Sequence, residues 1–584
     1  MKRFSIFLGA AGFSLLVASV LFAGPPVVKG YRNAKTMNGE IRALAQSRYA
    51  SYRSLARTLK GHDIGVLTVG TGKTDRKPAI LVVGGVDPTR LVDAEVTLRV
   101  ARRLVEAAKS DKKIRHRLEH VTFYFVALAA PDGTGSFFEK PHRERHVNAR
   151  PTDDDTDGRI DEDGPEDLNG DGLITMMRVK DPEGKYIPHP DDDRVLIAAD
   201  PSKGERGVYE LYVEGRDNDG DGHLNEDPPG GVAFDRNFPF NYDYFSRGAG
   251  PHQVSEIETR AIADFAFDRP NVVLVWTLSD RDNMLNKWEP NENAEQNPIK
   301  KTLLAADAPY FDKFVDIYED IRDMDAGKGT ADGKGAWVEW AYFHYGRWSI
   351  ATSPWSIPTE SQEDKEEEDE EKKKPKKGDQ GDQKKEGSED SSKKSDKEKR
   401  GAEKLRALAW LKQREVDGFV AWKPIKHPDL EDEQVEVGGF RPFVRNNPPV
   451  DQLDALAGDQ YQFMLQVCDM LPRVKISDVK AEPLGGNIWR VTAAMVNEGV
   501  LPTVSEMGRI TGVPQRLQVE LDLPSGTTLV TGHGRRSVKP LAGNGGQQEE
   551  KWLVRSTGNA EKKLTIRVWS PMVEGVERIV TLHR

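Results

Sequence analysis

Ala79-Ile-Leu-Val-Val-Gly-Gly-Val-Asp-Pro-Thr-Arg90 is the stretch that decides the fold of this chain. Its first five residues are a continuous apolar run, which is typical of a parallel strand that is buried on both faces. Two glycines follow, and then residues 94–107, where apolar side chains recur with helical periodicity and Arg and Lys lie on the outer face. A strand, a turn and a helix in this order predict an α/β domain built of three layers.

Further apolar runs on the C-terminal side predict three more buried strands, at residues 121–127, 272–276 and 348–352. A helix is predicted at residues 255–267, between the first and second of these three runs. This alternation favours a mostly parallel or mixed sheet, and in such folds ligands bind beyond the carboxyl ends of the strands. We expect the α/β domain to occupy residues 40–470.

Two other regions differ from the α/β pattern. Residues 362–401 consist of Glu, Asp, Lys, Ser and Gly with almost no apolar residue, so burial cannot offset their ordering entropy and a disordered charged insertion is predicted. Residues 474–584 contain short alternating segments separated by Gly, Pro and Asn, which predict a small β-sandwich. A chain of 584 residues is too long for one hydrophobic core, which agrees with this division.

The composition excludes some classes of function. The net charge of -11 argues against a nucleic-acid partner, because phosphate binding requires a basic surface. Cys468 is the only cysteine of the chain, so an intramolecular disulfide and a thiolate zinc cluster are both excluded.

The N-terminus predicts export to the periplasm or the extracellular space. Two basic residues precede an apolar run over residues 4–22, and Ala23 is a plausible cleavage point, so residues 1–23 are predicted to be a signal peptide. The alternative is an uncleaved N-terminal membrane anchor, because the run is almost long enough to cross a bilayer. After cleavage of the signal peptide, no stretch remains that is long and apolar enough to span a membrane.

An acidic repeat within residues 150–230 predicts calcium binding. Residues 155–165 match residues 219–229, and a third loop of the same kind lies at residues 167–174. Each has oxygen-bearing side chains at alternate positions followed by Gly, which is the first half of a calcium loop, although the Glu expected at the twelfth position is absent. The alternative is a solvated acidic loop without a metal. The predicted calcium ligands are Asp153, Asp155, Asp157, Asp161, Asp163, Asp167, Asn169, Asp171, Asp217, Asp219, Asp221, Asn225 and Asp227.

Five motifs in order resemble the zinc carboxypeptidases of the carboxypeptidase A type. Residues 83–90 resemble the first zinc motif of that family, Gly-Gly-x-His-x-x-Glu, and residues 130–133 resemble its Asn-Pro-Asp-Gly turn. Residues 234–239 resemble its Asn-Arg-Asn-aromatic segment, residues 255–260 match its helix start, and residues 335–342 resemble the stretch before its catalytic Glu. The resemblance implies a three-layer α/β fold with a mixed sheet and a zinc ion held by two His and one Glu.

The residues that the resemblance places at the zinc site differ from those of the family. Asp87 stands at the first His, Arg90 at the Glu, Thr277 at the second His, and Ser353 at the general-base Glu. A guanidinium repels a cation and Thr is a poor zinc ligand, so a degenerate, non-catalytic site is predicted. The alternative is an active metallocarboxypeptidase whose zinc site has been rebuilt from other residues.

Arg236 matches the family's Arg that binds the terminal carboxylate of the substrate, while Asp235 replaces the neighbouring Asn. A guanidinium suits that role because it can donate two parallel hydrogen bonds. Together with the predicted signal peptide and the acidic loops, the resemblance therefore favours an exported, calcium-stabilised protein that binds the C-termini of peptides or proteins. A structural ion pair is the other interpretation of Arg236, and a structural protein of the cell envelope is the third hypothesis for the chain.

Overall fold

The structure is a computed structural model that describes residues 30–154, 157–357, 391–557 and 561–583, with the backbone alone for residues 391–400. The predicted signal peptide, Asp155 and the larger part of the charged insertion lie outside the described residues. The disorder predicted for residues 391–401 is wrong, because they form the start of the helix Ser391–Gln413. Among the described helices, none combines the length and the apolar character needed to cross a membrane.

A mixed sheet of six strands forms the centre of the α/β domain, as predicted. The four apolar runs of the sequence are adjacent parallel strands of this sheet, and two further strands continue it in antiparallel pairing. In spatial order the strands of this central sheet are Ala50–Arg57, Asp63–Val69, Thr122–Val126, Ala79–Val83, Val272–Leu278 and Trp348–Thr352.

The two glycines of the deciding stretch allow the next helix to lie directly against the sheet. A Cβ on Gly84 would come within 2.2 Å of the Thr97 hydroxyl oxygen, and Gly85 has a φ of +62°. The helix then begins at Leu91, and its apolar face is buried along most of its length. The described helices are Ala34–Leu44, Leu91–Ser110, Lys112–His120, Ile257–Phe267, Glu292–Glu295, Ala308–Arg322, Trp337–Phe343, Ser391–Gln413, Leu453–Asp469 and Glu506–Thr511.

A second six-stranded sheet, which the sequence patterns do not predict, joins the acidic insertion to the segment after residue 413. We call it the insertion sheet, and it has its own small core around Met177 and Val437. All of its strand pairs are antiparallel. Its strands in spatial order are Phe419–Ile425, Val435–Phe440, Met176–Lys180, Tyr209–Val213, Tyr186–Pro188 and Leu196–Ala198. A short parallel pair, Asn286–Trp288 and Gly327–Gly329, lies elsewhere in the α/β domain.

The C-terminal region consists of antiparallel strands in two four-stranded sheets, as predicted. Their inward side chains, among them Trp489, Trp552 and Ile566, form one core that is separate from the core of the α/β domain. One sheet contains Val474–Gly485, Ile488–Asn497, Gly546–Ser556 and Thr527–Thr531. The other contains Arg535–Ser537, Gln518–Asp522, Lys562–Ser570 and Val573–Leu582. We refer to the two sheets as the C-terminal sandwich.

Candidate functional site

The four residues at the predicted zinc positions lie at one edge of the central sheet. Three parallel strands end there at the same level, since Val83 is paired with Thr277 and Thr277 with Ala351. Two of the four residues follow the first strand, one belongs to the second strand and one follows the third. We call this edge the strand-end cleft and define it by the four residues, Asp87, Arg90, Thr277 and Ser353.

The guanidinium of Arg90 is fixed in the cleft by four hydrogen bonds. Its Nε and Nη2 donate to the two carboxylate oxygens of Asp93 at 2.9 and 3.3 Å. Nη2 also donates to Ser353 Oγ at 3.0 Å and to the carbonyl of Trp355 at 3.1 Å. Burial opposes the charge, but Asp93 and two neighbouring carboxylates raise the pKa of Arg90 above its usual value. A permanent positive charge therefore occupies the position of the family's Glu ligand.

Asp87 forms an ion pair with an imidazole from a distant loop. His146 Nδ1 lies 3.2 Å from one carboxylate oxygen of Asp87 and 3.3 Å from the other, and Thr89 donates its N–H and its hydroxyl to the same carboxylate at 2.9 Å. The hydrogen bond between His146 and Asp87 is the main reason why the pKa of His146 is raised. Burial alone would raise the pKa of Asp87, but the bonds from His146 and Thr89 lower it. The sequence places His146 on the surface, where it is, but does not reveal this contact.

Thr277 turns its hydroxyl away from the open side of the cleft. It is fully buried, and its Oγ1 accepts a hydrogen bond from Trp337 Nε1 at 3.1 Å. The backbone N–H of Ser353 donates to the buried carboxylate of Asp282 at 2.8 Å. Asp280, two residues earlier, is exposed at the end of the neighbouring strand. Thr277 and Ser353 are thus engaged in contacts that hold the strand ends together.

The strand-end cleft does not fit a zinc ion. Zinc sites need several imidazole, thiolate or carboxylate ligands around one point. Among the described residues, neither Asp87 nor His146 belongs to a group of three such side chains whose ligand atoms lie within 4.8 Å of one another. Arg90 adds a fixed charge that repels cations.

A second group of charged side chains adjoins the cleft through Trp337. Asp235 pairs with Arg281 and accepts a hydrogen bond from the backbone N–H of Trp337 at 2.8 Å. Glu339 is 3% exposed; its Oε1 accepts from the N–H of Gly333 at 3.1 Å, whereas its Oε2 is buried without a hydrogen-bond partner. Burial raises the pKa of Glu339 to about 7, although Arg281 acts in the opposite direction. The sequence gives no indication of this buried acid.

Arg236 lies in the helical turn Phe234–Arg236 and is half-buried. Its Nη2 donates a hydrogen bond to Ser246 Oγ. Among the side chains that the structure describes, none forms an ion pair with this guanidinium, which argues against a purely structural pair. Arg236 therefore keeps donor capacity for an incoming anion.

A cavity of about 320 Å³ beside the insertion sheet is lined by cations and aromatic rings. We call it the cationic pocket. Burial lowers the pKa of Arg143 at its rim. Two of its arginines are paired outside the cavity, Arg194 with Asp192 and Arg441 with Asp417. Its charged lining residues are Arg143, Glu144, Arg194, Lys404, Arg441 and Arg445, and its aromatic ones are Phe419, Trp422 and Phe440.

In each acidic repeat, a buried aspartate accepts hydrogen bonds from backbone N–H groups of the other repeat. Asp227 accepts two backbone N–H groups of the first repeat at 2.8 and 2.9 Å, and Asp163 accepts two of the second repeat at 3.1 and 2.6 Å. Both aspartates are 1% exposed and they form a β-bridge with each other. The donors occupy equivalent positions, Asp154 and Asp161 in the first repeat and Asn218 and Asn225 in the second.

Carboxylates from both repeats lie close together next to these hydrogen bonds between the repeats. Ligand atoms of Asp157, Glu162 and Asp219 lie within 4.8 Å of one another, and so do those of Asp217, Asp219 and Asp221. Glu162 was not among the predicted ligands, and neither was Glu226 at the equivalent position. Burial, and then contact with an aspartate of the other repeat, raises the pKa of each of these two glutamates to about 7.

Other predicted calcium ligands contact the backbone of their own loop. Asp153 accepts from the N–H of Gly158 at 3.1 Å. Asp167 and Asp217 each accept three N–H groups of the glycine-containing turn that follows, and Asn169 and Asp171 each accept one. The third loop, residues 167–174, is thus separate from the two repeats that exchange hydrogen bonds.

The buried acid predicts a pH dependence of stability. The folded pKa of Glu339 is about 7 and its usual value is 4.5, so its contribution to stability is fully present below pH 4.5 and is lost as the pH rises through 7. Glu339→Gln, which keeps the acceptor for Gly333, should raise the free energy of unfolding by about 2 kcal/mol at pH 8 and by little at pH 4.5. Thermal unfolding of both proteins across this range measures the difference. Exposed Glu292→Gln is the control, and a difference for Glu339→Gln that does not change with pH would contradict the assignment.

Comparison with known proteins agrees with the resemblance. Residues 38–163 match the family described as zinc carboxypeptidase, and residues 473–581 match a domain of unknown function. No curated protein matches the chain.

Several solved structures are similar at low identity. Carboxypeptidase A from Helicoverpa armigera is 13% identical, with a TM-score of 0.36 over 55% of this chain and 63% of that one, so this chain spans less than two thirds of its length. Bovine thrombin-activatable fibrinolysis inhibitor is 12% identical, with a TM-score of 0.32 over 56% and 86%. A metallocarboxypeptidase from Burkholderia cenocepacia is 13% identical, with a TM-score of 0.30 over 54% and 58%. Over residues 38–163, therefore, this chain carries the sequence pattern of the zinc carboxypeptidases, and its α/β domain has a carboxypeptidase-like fold.

Proposed function

We propose that this protein binds the C-termini of peptides without hydrolysing them. The observation that carries the proposal is the guanidinium of Arg90, held by Asp93, Ser353 and the carbonyl of Trp355 at the place of a zinc ligand. Hydrolysis by this family requires a metal to polarise the carbonyl and a base to activate water. Ser353, at the position of the base, donates its hydroxyl to the carbonyl of Trp355 at 3.0 Å and is not a base at neutral pH.

The binding part of the proposal rests on Arg236. A half-buried guanidinium without an ion pair can donate two parallel hydrogen bonds to a carboxylate. The charged group of Asp235 is neutralised by Arg281, so it does not cancel the attraction of Arg236 for an anion. The cationic pocket is a second place where a carboxylate joined to an apolar side chain would fit, with Arg143 at its rim. Variants of the two arginines distinguish these locations.

Loss of catalysis is tested by supplying the metal. With added Zn²⁺, the purified protein should release no C-terminal amino acids from a panel of peptides. The double change Asp87→Asn and His146→Gln should leave zinc binding, measured by calorimetry, unchanged, because this pair lacks further ligands. Zinc-dependent release that disappears in this double variant or in Asp280→Asn would instead establish the alternative, an active enzyme with a rebuilt site.

Binding is tested with peptides that differ only at their C-terminal group. A free carboxylate should bind at least tenfold more tightly than the amide, since a charged hydrogen-bonded pair contributes about 1.5–3 kcal/mol. Arg236→Met should abolish this preference, whereas Arg260→Met, on the neighbouring helix, should retain it. Loss of the preference in Arg143→Met alone would move the site to the cationic pocket. Equal binding of both peptides by the wild-type protein would contradict the proposal and favour a structural role in the cell envelope.

Calcium belongs to the same proposal as a structural cofactor. Hard cations bind carboxylate oxygens, and two groups of three carboxylates lie close together, one formed by Asp157, Glu162 and Asp219 and the other by Asp217, Asp219 and Asp221. Arg159 is the nearest cation, 3.7 Å from Asp157 and 4.0 Å from Asp219. Glu162 Oε2 and both carboxylate oxygens of Glu226 are buried without a hydrogen-bond partner. This supports a role for these two glutamates as calcium ligands. Export, which residues 1–23 predict, would bring the protein to a medium where calcium is plentiful.

Calcium should raise the thermal stability of the insertion. At a concentration one hundred times the dissociation constant, one bound ion stabilises the folded state by about 2.7 kcal/mol. Asp219→Asn removes an oxygen charge shared by both carboxylate groups and should reduce the rise in unfolding temperature on replacing EGTA by Ca²⁺. Asp193→Asn, an exposed change in the same insertion, should leave it intact. No rise in the wild-type protein would contradict calcium binding.

A further inference from the structure

A cluster of imidazoles and carboxylates lies far from the strand-end cleft, on the helix Lys112–His120. His116 and His120 are four residues apart and Glu119 stands between them, so all three side chains project from one face of the helix. Their ligand atoms lie within 4.8 Å of one another. The rings of the two histidines are 4.6 Å apart between centroids. Two nitrogen donors and one oxygen donor therefore already converge on one point.

A fourth group comes from the other domain. Glu574, in the strand Val573–Leu582 of the C-terminal sandwich, places its Oε2 2.6 Å from His120 Nδ1. This contact spans a crevice of about 490 Å³ between the α/β domain and the sandwich, which His116, His120 and Glu574 line together. Histidines that bind metals commonly donate their second ring N–H to a carboxylate, which fixes the tautomer and the ring orientation. Glu574 occupies that position for His120.

We infer that His116, Glu119 and His120 bind one divalent ion of the zinc class, with Glu574 as the orienting carboxylate. Two imidazoles and a carboxylate suit zinc and its neighbours better than calcium, which prefers oxygen ligands alone. The two carboxylates offset the charge of the ion. The ion thereby links the helix to the C-terminal sandwich through the hydrogen bond from His120 to Glu574.

Lys113, Arg117 and Arg473 line the crevice, and Lys77 lies near it. Two of these four positive groups are held by other partners. The ammonium of Lys77 donates to the carbonyls of Thr71, Leu118 and Glu119. Arg117 pairs with Asp469 at 2.6 Å. Without a metal, His116 would keep only its contact with Glu119, at 3.4 Å, and His120 its contact with Glu574. The two arrangements differ in whether zinc binds, which a titration decides.

The test is calorimetry of the full chain with Zn²⁺ in a buffer containing saturating Ca²⁺, which keeps the acidic loops occupied. One ion should bind, and the double change His116→Ala and His120→Ala should weaken binding at least one hundredfold. His223→Ala, an exposed histidine of the acidic insertion, is the matched control and should bind as the wild type does. Equal affinity in the double variant, or no binding by the wild type, would overturn the inference.

Two further measurements distinguish the histidine ligands from Glu574, the orienting residue. Electron paramagnetic resonance of bound Cu²⁺ should show coupling to two imidazole nitrogens in the wild type and none in the double variant. Glu574→Gln should retain both couplings, weaken Zn²⁺ about tenfold to one hundredfold, and abolish most of the zinc-dependent rise in unfolding temperature of the sandwich. Unchanged affinity and unchanged stabilisation in Glu574→Gln would show that the sandwich takes no part in the site. Neither experiment involves Arg236 or the strand-end cleft.

Discussion

The bidentate pair of Arg90 and Asp93 determines what the end of the central sheet can do. Both side chains are buried, and the same guanidinium reaches Ser353 and the carbonyl of Trp355, which follow the edge strand Trp348–Thr352. Removing one partner of a buried pair typically costs about 3–5 kcal/mol, because the other charge remains without compensation. An arginine at this position therefore needs the aspartate one helical turn later, and the pair fixes the turn, the helix start and the last strand relative to one another.

Further contacts fix the other two residues of the strand-end cleft in the same way. Thr277 is closed off by Trp337, and Ser353 is held from both sides, by Arg90 through its hydroxyl and by Asp282 through its N–H. Polar side chains are open to solvent at the edge of the cleft, where His146 contacts Asp87. These charged and polar contacts hold the ends of the central strands together.

Local sequence patterns are sufficient to predict part of this structure. The buried strands of the central sheet are continuous apolar runs, and their order along the chain, with a helix after the glycine turn, predicts the α/β architecture. The insertion sheet is different: Met176–Lys180 and Tyr209–Val213 are short and half polar, and the adjoining strand Val435–Phe440 lies more than two hundred residues later in the chain. No local periodicity indicates that these strands pair.

The candidate site divides in the same way. Motif order places Asp87, Arg90, Thr277 and Ser353 at the strand ends, where the structure has them. His146 and Glu339 have no such motif, since the significance of each depends on neighbours from remote segments. His146 reaches Asp87 from a separate loop, and the charges that act on the buried Glu339 belong to Arg281 and Asp235. Glu162 and Glu226 do have a pattern, a glutamate between two acidic or amide residues in both repeats, although a calcium-loop template does not include it.

The exchange of contacts between the two acidic repeats also bears on how such an insertion can be inherited. Asp163 satisfies backbone groups of the second repeat and Asp227 those of the first. A deletion of either repeat would leave the other with a buried carboxylate and two amides unsatisfied, at a cost of about 1–3 kcal/mol for each group. We therefore expect the chain to tolerate deletion of one repeat only when the other repeat, and the strands of the insertion sheet between them, are removed with it.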